Sequence, residues 1–246
     1  MYKYLSPESK LVQQGNVYGT CAWVCGDIIY SVGDPVIGSI FAVSNAFGIL
    51  GGQKPLSTII QHSLFIAAGA VMCYNGIKST DDIVTLGDNI TGIGTFLATT
   101  NVVGSLVQEH YGDKNRRNLA QRLTDPVVAL PTKACQLIGE KCANSSSKLL
   151  REFSENIAEI SQRPMFAGSL MLGVVNLGIL ASGVSKLTHG EFVEGTQDIA
   201  SFVTWNVGNF FCGISTQAEA RENVFLIWGK QALGACGVKK FQRQDP

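Results

Sequence analysis

Met165 to Ser185 reads MFAGSLMLGVVNLGILASGVS, 21 residues without one charged side chain. A helix rises 1.5 Å per residue, so about 20 apolar residues cross a hydrocarbon core of about 30 Å. The run is long enough to span, yet mild, because Gly, Ser and Asn dilute its Leu and Val. Five other stretches share this character. Val17–Val32 (VYGTCAWVCGDIIYSV) carries one charge, Asp27, and Val36–Gly51 (VIGSIFAVSNAFGILG) carries none. Leu56–Ile77 holds no charge beyond His62, Ile83–Val107 holds Asp88 near its start, and Ile199–Thr216 holds none. The first two are short for a span and meet at Asp34-Pro35.

These runs are too long for strands and lack a turn signal every 8–12 residues. They are not amphipathic surface helices either, because a helix without charge on any face has to be buried all round. Six such helices in one soluble chain leave little to face water. The expected fold is all-α: an integral membrane bundle of about six transmembrane helices, arranged as three repeated helical hairpins. Amphipathic helices are expected in the central loop and the C-terminal tail. The expected division is two membrane hairpins over 1–107, a polar segment over 108–164, a third hairpin over 165–216 and a tail over 217–246. A soluble helical bundle with buried polar repeats is the alternative.

Charge is scarce, at 15% of residues against about 25% in an average domain. Lys+Arg and Asp+Glu balance at 19 each. That argues against a nucleic-acid partner, which calls for a basic excess, and against a disordered chain. The N-terminus is polar, with no apolar run after basic residues, so no cleavable signal is expected. Six spans put both termini on one side. Of the 19 Lys and Arg only Lys78 and Lys186 then fall on the other. The excess of basic residues places both termini in the cytoplasm, in a bacterial inner membrane.

Two segments align without a gap: Ile37–Gly48 is IGSIFAVSNAFG and Ile93–Gly104 is IGTFLATTNVVG. Ile, Gly, Ala, Asn and Gly are identical, and Ser exchanges with Thr twice. SFVTWNVGNFF, from Ser201, carries a looser version with Asn206 and Gly208. Small residues four apart let helix backbones approach, and Ser, Thr and Asn bond across the gap. Gly38, Gly48, Gly94, Gly104 and Gly208 are therefore the expected packing positions. Asn45, Asn101 and Asn206 are expected to act as interhelical glue, or else to line a substrate path together with Asp27. A charge well inside a span costs at least a few kcal/mol and often marks function. Asp88 and Asp198, near helix starts, are expected to complement the helix dipole.

In the polar middle, Ser145–Ser147 forms an N-cap run. Leu149, Leu150, Phe153, Ile157 and Ile160 follow on one helical face. The tail from Glu219 to Gly237 has a similar pattern around Trp228. The seven cysteines are odd in number and widely spaced, which is not a disulfide framework. Cys21 and Cys25 share a helix face, but a metal needs further ligands, so neither metal nor cofactor is expected. GxGxxG, GxxxxGK[ST], GxSxG and HExxH are all missing from the chain, and no enzyme is expected. The leading expectation is a structural or assembly component of a membrane complex, with lipid and other membrane subunits or its own copies as partners. A small-solute transporter or channel using Asp27 and the repeated asparagines is the alternative.

Overall fold

The computed structural model describes residues 5–51, 55–112, 117–163 and 166–216. Among them the chain is all helical, without a strand. The helices are α1 (Lys10–Gln13), α2 (Gly15–Gly33), α3 (Pro35–Gly51), α4 (Pro55–Lys78), α5 (Asp82–Tyr111), α6 (Leu119–Val128), α7 (Leu130–Ala143), α8 (Lys148–Ile160), α9 (Phe166–Val175), α10 (Leu177–Thr188) and α11 (Phe192–Ile214). Five of the apolar stretches became α2, α3, α4, α5 and α11, and their ends match the sequence limits within a few residues, except that α11 begins seven residues earlier. The sixth, the opening stretch, became α9 and α10, interrupted at Asn176. One helix among the described residues, Phe166–Thr188, is both long and apolar enough to cross a membrane. Pro35–Phe47 of α3 is apolar but too short, and the remaining long helices do not meet that mark.

The long helices close into a ring. α2 packs on α3, α3 on α4, α4 on α5, α5 on α10, α10 on α11, and α11 back on α2. Neighbours run antiparallel, as their cross-contacts require. Asp27 meets Asn45 between α2 and α3. Ser44 donates to Gln61 O between α3 and α4 at 2.6 Å. Thr91 donates to Val175 O between α5 and α9 at 3.0 Å.

Local chemistry explains the tight corners. Pro35 opens α3, where its missing N–H costs nothing. Asp34 caps that helix: Oδ1 accepts from the Val36 and Ile37 amides at 3.1 and 2.9 Å. Its Oδ2 accepts from Asn75 of α4 at 2.8 Å, so one carboxyl ties three helices. Asp81 caps α5 through Ile83 N and Val84 N and also accepts from Ser185 of α10 at 2.8 Å. α10 ends in a Schellman arrangement: Glu191 N bonds to Lys186 O and Gly190 N to Leu187 O, with Gly190 at φ 87°.

Four glycine pairs set the spacing of the ring. A methyl built on Gly92 would stand 2.6 Å from Gly69 O, and one on Gly69 would stand 2.7 Å from Gly92 O. Gly19 and Gly208 are reciprocal in the same way between α2 and α11, Gly87 and Gly178 between α5 and α10, and Gly183 and Gly195 between α10 and α11. Of the expected packing positions, Gly38 abuts Ser31, Gly94 abuts Val175, and Gly208 abuts Gly19 and Trp23. Gly104 lies more loosely against Asn118, Ala120 and Gln121 of α6. The surroundings of Gly48 and the whole expected amphipathic tail lie outside the described residues.

The distribution of polarity across the ring is inverted. Asp27, Asn45, Thr91, Ser182, Asp198 and Ser201 are buried. Ile28, Val32, Val43, Leu86, Ile93 and Val203, on the same helices, are exposed. Helix α8 also departs from expectation. It buries Asn156 and Ile160, while Leu149, Leu150 and Phe153 of its apolar face remain exposed. Its N-cap, Ser147, makes no side-chain capping bond. Arg163, just beyond α8, is buried and donates to Ile214 O at the end of α11, to Leu5 O at 2.7 Å and to Glu159 at 3.0 Å. It satisfies carbonyls that a helix end leaves open.

The glycine pairs lead to a direct test. Overpacking a well-packed contact costs about 1–3 kcal/mol. Gly92→Ala should lower the unfolding free energy of the detergent-purified protein by that amount. Gly168→Ala, which meets nothing within 4 Å, should change it by less than about 0.5 kcal/mol. Equal effects in a denaturation series would refute the role of the pairs.

Candidate functional site

Within the ring lies a cavity of about 100 Å³. Asp27 reaches it from α2 and is only 3% exposed. Its Oδ1 accepts from Trp205 Nε1 at 2.9 Å, and its Oδ2 accepts from Asn45 Nδ2. Asn45 Oδ1 in turn accepts from Gln61 of α4 at 3.3 Å. Three helices thus hold one carboxyl by N–H donors alone. No cationic side chain among the described residues pairs with it.

The joint between α2 and α11 is reciprocal in detail. Trp23 and Asp27 are one turn apart on α2, as Trp205 and Asn209 are on α11. Trp205 donates to Asp27, and Trp23 donates to Asn209 Oδ1 at 3.1 Å. The glycine of each helix makes room for the indole of the other. A methyl on Gly26 would stand 2.6 Å from Trp205 Nε1, and one on Gly208 would stand 2.6 Å from Trp23 Nε1. The sequence carries this clasp as W-x-x-G-[DN] written twice, WVCGD at 23–27 and WNVGN at 205–209. Sequence reasoning missed it, because the hairpin alignment drew attention to Asn206 rather than to Asn209.

The three repeat asparagines do not hold equivalent places. Asn45 bonds to Asp27 and lines the cavity. Asn101 donates outward, to Thr124 and Asp125 of α6 at 2.9 and 2.7 Å. Asn206 donates to Phe202 O of its own helix at 2.9 Å. Of the four residues expected either to join helices or to line a substrate path, Asp27 and Asn45 line the cavity, and Asn101 and Asn206 do not. Asn176, at the interruption between α9 and α10, lines the cavity instead, as does Asn209.

Two residues that line the cavity each carry a buried polar atom without a hydrogen-bond partner. Asn209 is 5% exposed, and its Nδ2 has no partner; Ser169 Oγ, on a residue 4% exposed, has none either. An unmade buried hydrogen bond costs about 1–3 kcal/mol, and native structures tolerate few of them. The orientation of Asn209 is fixed, because turning the amide over would set its N–H₂ against the Trp23 N–H. The wall around these atoms is aromatic. Phe41 lies 5.5 Å from both Phe65 and Trp205, and His62 stands edge-on to Phe65 at 5.9 Å between ring centres.

A second cavity, of about 180 Å³, shares Met72 with the first. Asp34, Asp88, Glu194 and Asp198 line it against a single ammonium, Lys186, which donates to Asp198 at 2.7 Å. Asp88 and Asp198 are thus not helix caps: Asp88 lies inside α5 and Asp198 inside α11, and both face this cavity. The cap of α5 is Asp81.

No family model matches the chain, and neither a curated protein nor a solved structure is significantly similar to it.

The reciprocal clasp is open to a double-mutant cycle, which isolates a pairwise term. Gly26→Ala should destabilise the protein by about 1–3 kcal/mol through crowding of Trp205. In a Trp205→Ala background the same change should cost clearly less, the remainder coming from Thr204 Oγ1, 2.7 Å from that methyl. Additive thermal-denaturation shifts would mean that the indole is not what Gly26 accommodates.

Proposed function

We propose that the chain is a multi-pass membrane protein whose ring of helices spans the bilayer and binds a small solute in its interior for transport. The chamber carries this reading: a buried carboxyl and two residues with unsatisfied hydrogen-bonding atoms line a space between the helices. Intramembrane carboxyls face the bundle interior and mark substrate or ion paths. Transporters place their sites near mid-membrane beside interrupted helices, and the interruption at Asn176 lines this chamber. The inverted polarity supports a lipid environment. Water-soluble monomers rarely expose large contiguous apolar patches, whereas lipid-facing residues are apolar and polar ones turn inward to bond between helices.

In this reading the rods formed by α2, α3, α4, α5, α9 with α10, and α11 are six spans in three hairpins, with both termini cytoplasmic in a bacterial inner membrane. Lipid is the main partner. Binding and passage, rather than bond chemistry, are the activity, with no cofactor or metal and no nucleic acid.

A second reading, a structural or assembly component of a membrane complex, is favoured by the cytoplasmic-side helices. Leu123, Leu130, Leu137, Leu149 and Phe153 of α6, α7 and α8 are all exposed, and they form an apolar surface suited to another subunit, to a second copy or to lipid headgroups.

Alkaline carbonate should leave the protein in the membrane pellet, and release without detergent would end the membrane reading. The purified protein in liposomes should accumulate a labelled solute from a panel of small amines, acids and polyols. Asp27→Asn should reduce that uptake at least tenfold. Uptake by none of the panel, with stable co-purifying subunits in mild detergent, would transfer the assignment to the complex component.

A further inference from the structure

We propose that the chamber takes a small organic cation, an ammonium compound of a few heavy atoms that also bears one hydrogen-bond acceptor. The proposal rests on the chamber being a solute site and adds the chemical class of the solute. Size comes first. A dry cavity of about 150 Å³ accommodates benzene, so a space of about 100 Å³ holds a somewhat smaller molecule.

Charge follows from Asp27. Its oxygens receive the indole N–H of Trp205 and the amide N–H of Asn45, which is how an ionised carboxylate is solvated by protein. A carboxylate has about four acceptor positions, so two N–H donors leave room for a cation. A buried charge without a counter-charge is expensive, and a partner of opposite sign relieves it. No described side chain supplies one, so the solute does.

The walls agree with a cation. Trp23, Phe41, Phe65 and Trp205 line the space, and ring faces attract ammonium groups, most strongly where water is excluded. The acceptor on the solute follows from Asn209. Its Nδ2 is a donor of fixed direction without a partner, one helical turn, about 5.4 Å, from the residue that holds Asp27. Ser169 Oγ adds a second open position. The neighbouring cavity fits the same class, because four carboxylates against the single Lys186 favour entry of a cation.

Binding to the full-length protein in mild detergent tests this. Ethanolamine, its neutral counterpart ethylene glycol and acetate are titrated by calorimetry. Fluorescence of Trp23 and Trp205 gives a second readout. Ethanolamine should saturate the site, at least tenfold tighter than the glycol, while acetate should not bind. Asp27→Asn should weaken ethanolamine at least tenfold with the melting temperature little changed, and Ser169→Ala should weaken it a few-fold. If Asp27→Asn fails to fold, the comparison of the three probes on the native protein still decides.

Equal affinity for ethanolamine and the glycol overturns the cation while leaving the chamber a binding site. Saturation by none of the probes also overturns it. Cation-selective binding without uptake in liposomes supports this inference and removes transport.

Discussion

The clasp between α2 and α11 closes the ring. These helices are the first and the last of its wall, and about 180 positions separate Asp27 from Trp205. Of the other contacts around the wall, all but that of α5 with α10 join helices adjacent along the chain. Burying an indole N–H without an acceptor is costly, and so is burying a carboxyl without donors. Each helix offers what the other lacks, twice over, and each supplies the glycine that lets the partner indole lie flush. The arrangement is satisfied only when the helices are antiparallel in this one register. A slip of one turn along the helices leaves two indoles and a charge unpaired.

Close approach makes the polar interior affordable. Glycine pairs at four interfaces bring backbones together where side chains would hold them apart. That distance suits short polar side chains such as Ser44, Thr91 and Ser182, which bond to backbone or carboxyl groups across the gap. Large apolar side chains also stand on the outer surface, as Ile28, Leu86 and Val203 do, while Ile37, Met72 and Ile179 fill the interior beside the polar groups. The helices expose apolar residues on the outside and mix polar with apolar residues inside, and averaging over a whole helix hides where the polar ones lie.

The same averaging marks what could be read from the sequence. Most helix limits were legible from the ends of the apolar runs and from the Asp34-Pro35 joint, whose cap and turn have local causes. That Asp27 is buried and bonded was legible from its isolation in an apolar run. The distinct roles of Asn45, Asn101 and Asn206 were not. Equivalent positions in aligned segments share a helix face, but the neighbour of that face differs: α2 and α4 for Asn45, α6 for Asn101. The alignment saw period and composition, and neither contains the order in which helices meet. Asp88 and Asp198 misled for a related reason. They were measured from the starts of the apolar runs, whereas α5 begins at Asp82 and α11 at Phe192, so both carboxyls lie well inside their helices. Trp23 and Trp205 looked like ordinary apolar bulk until the glycine three residues after each was seen to serve the other.

The opening stretch, Met165–Ser185, is the most apolar part of the chain, and it is the part the fold interrupts. Nothing in it forces a break: it has no proline, and its glycines serve packing, as Gly178 does against Gly87. The break falls at Asn176, whose neighbour Val175 gives its carbonyl to Thr91 across the helix pair at 3.0 Å. A carbonyl turned out of its own helix in an apolar setting requires such a partner. Asn176 lines the chamber. The glycine and threonine of α5 at Gly87 and Thr91 therefore support an irregularity in the opposite helix, at the level where the chamber needs a polar wall. The run that looks simplest in sequence carries the interruption, and the helix beside it supplies the hydroxyl that bonds the Val175 carbonyl there.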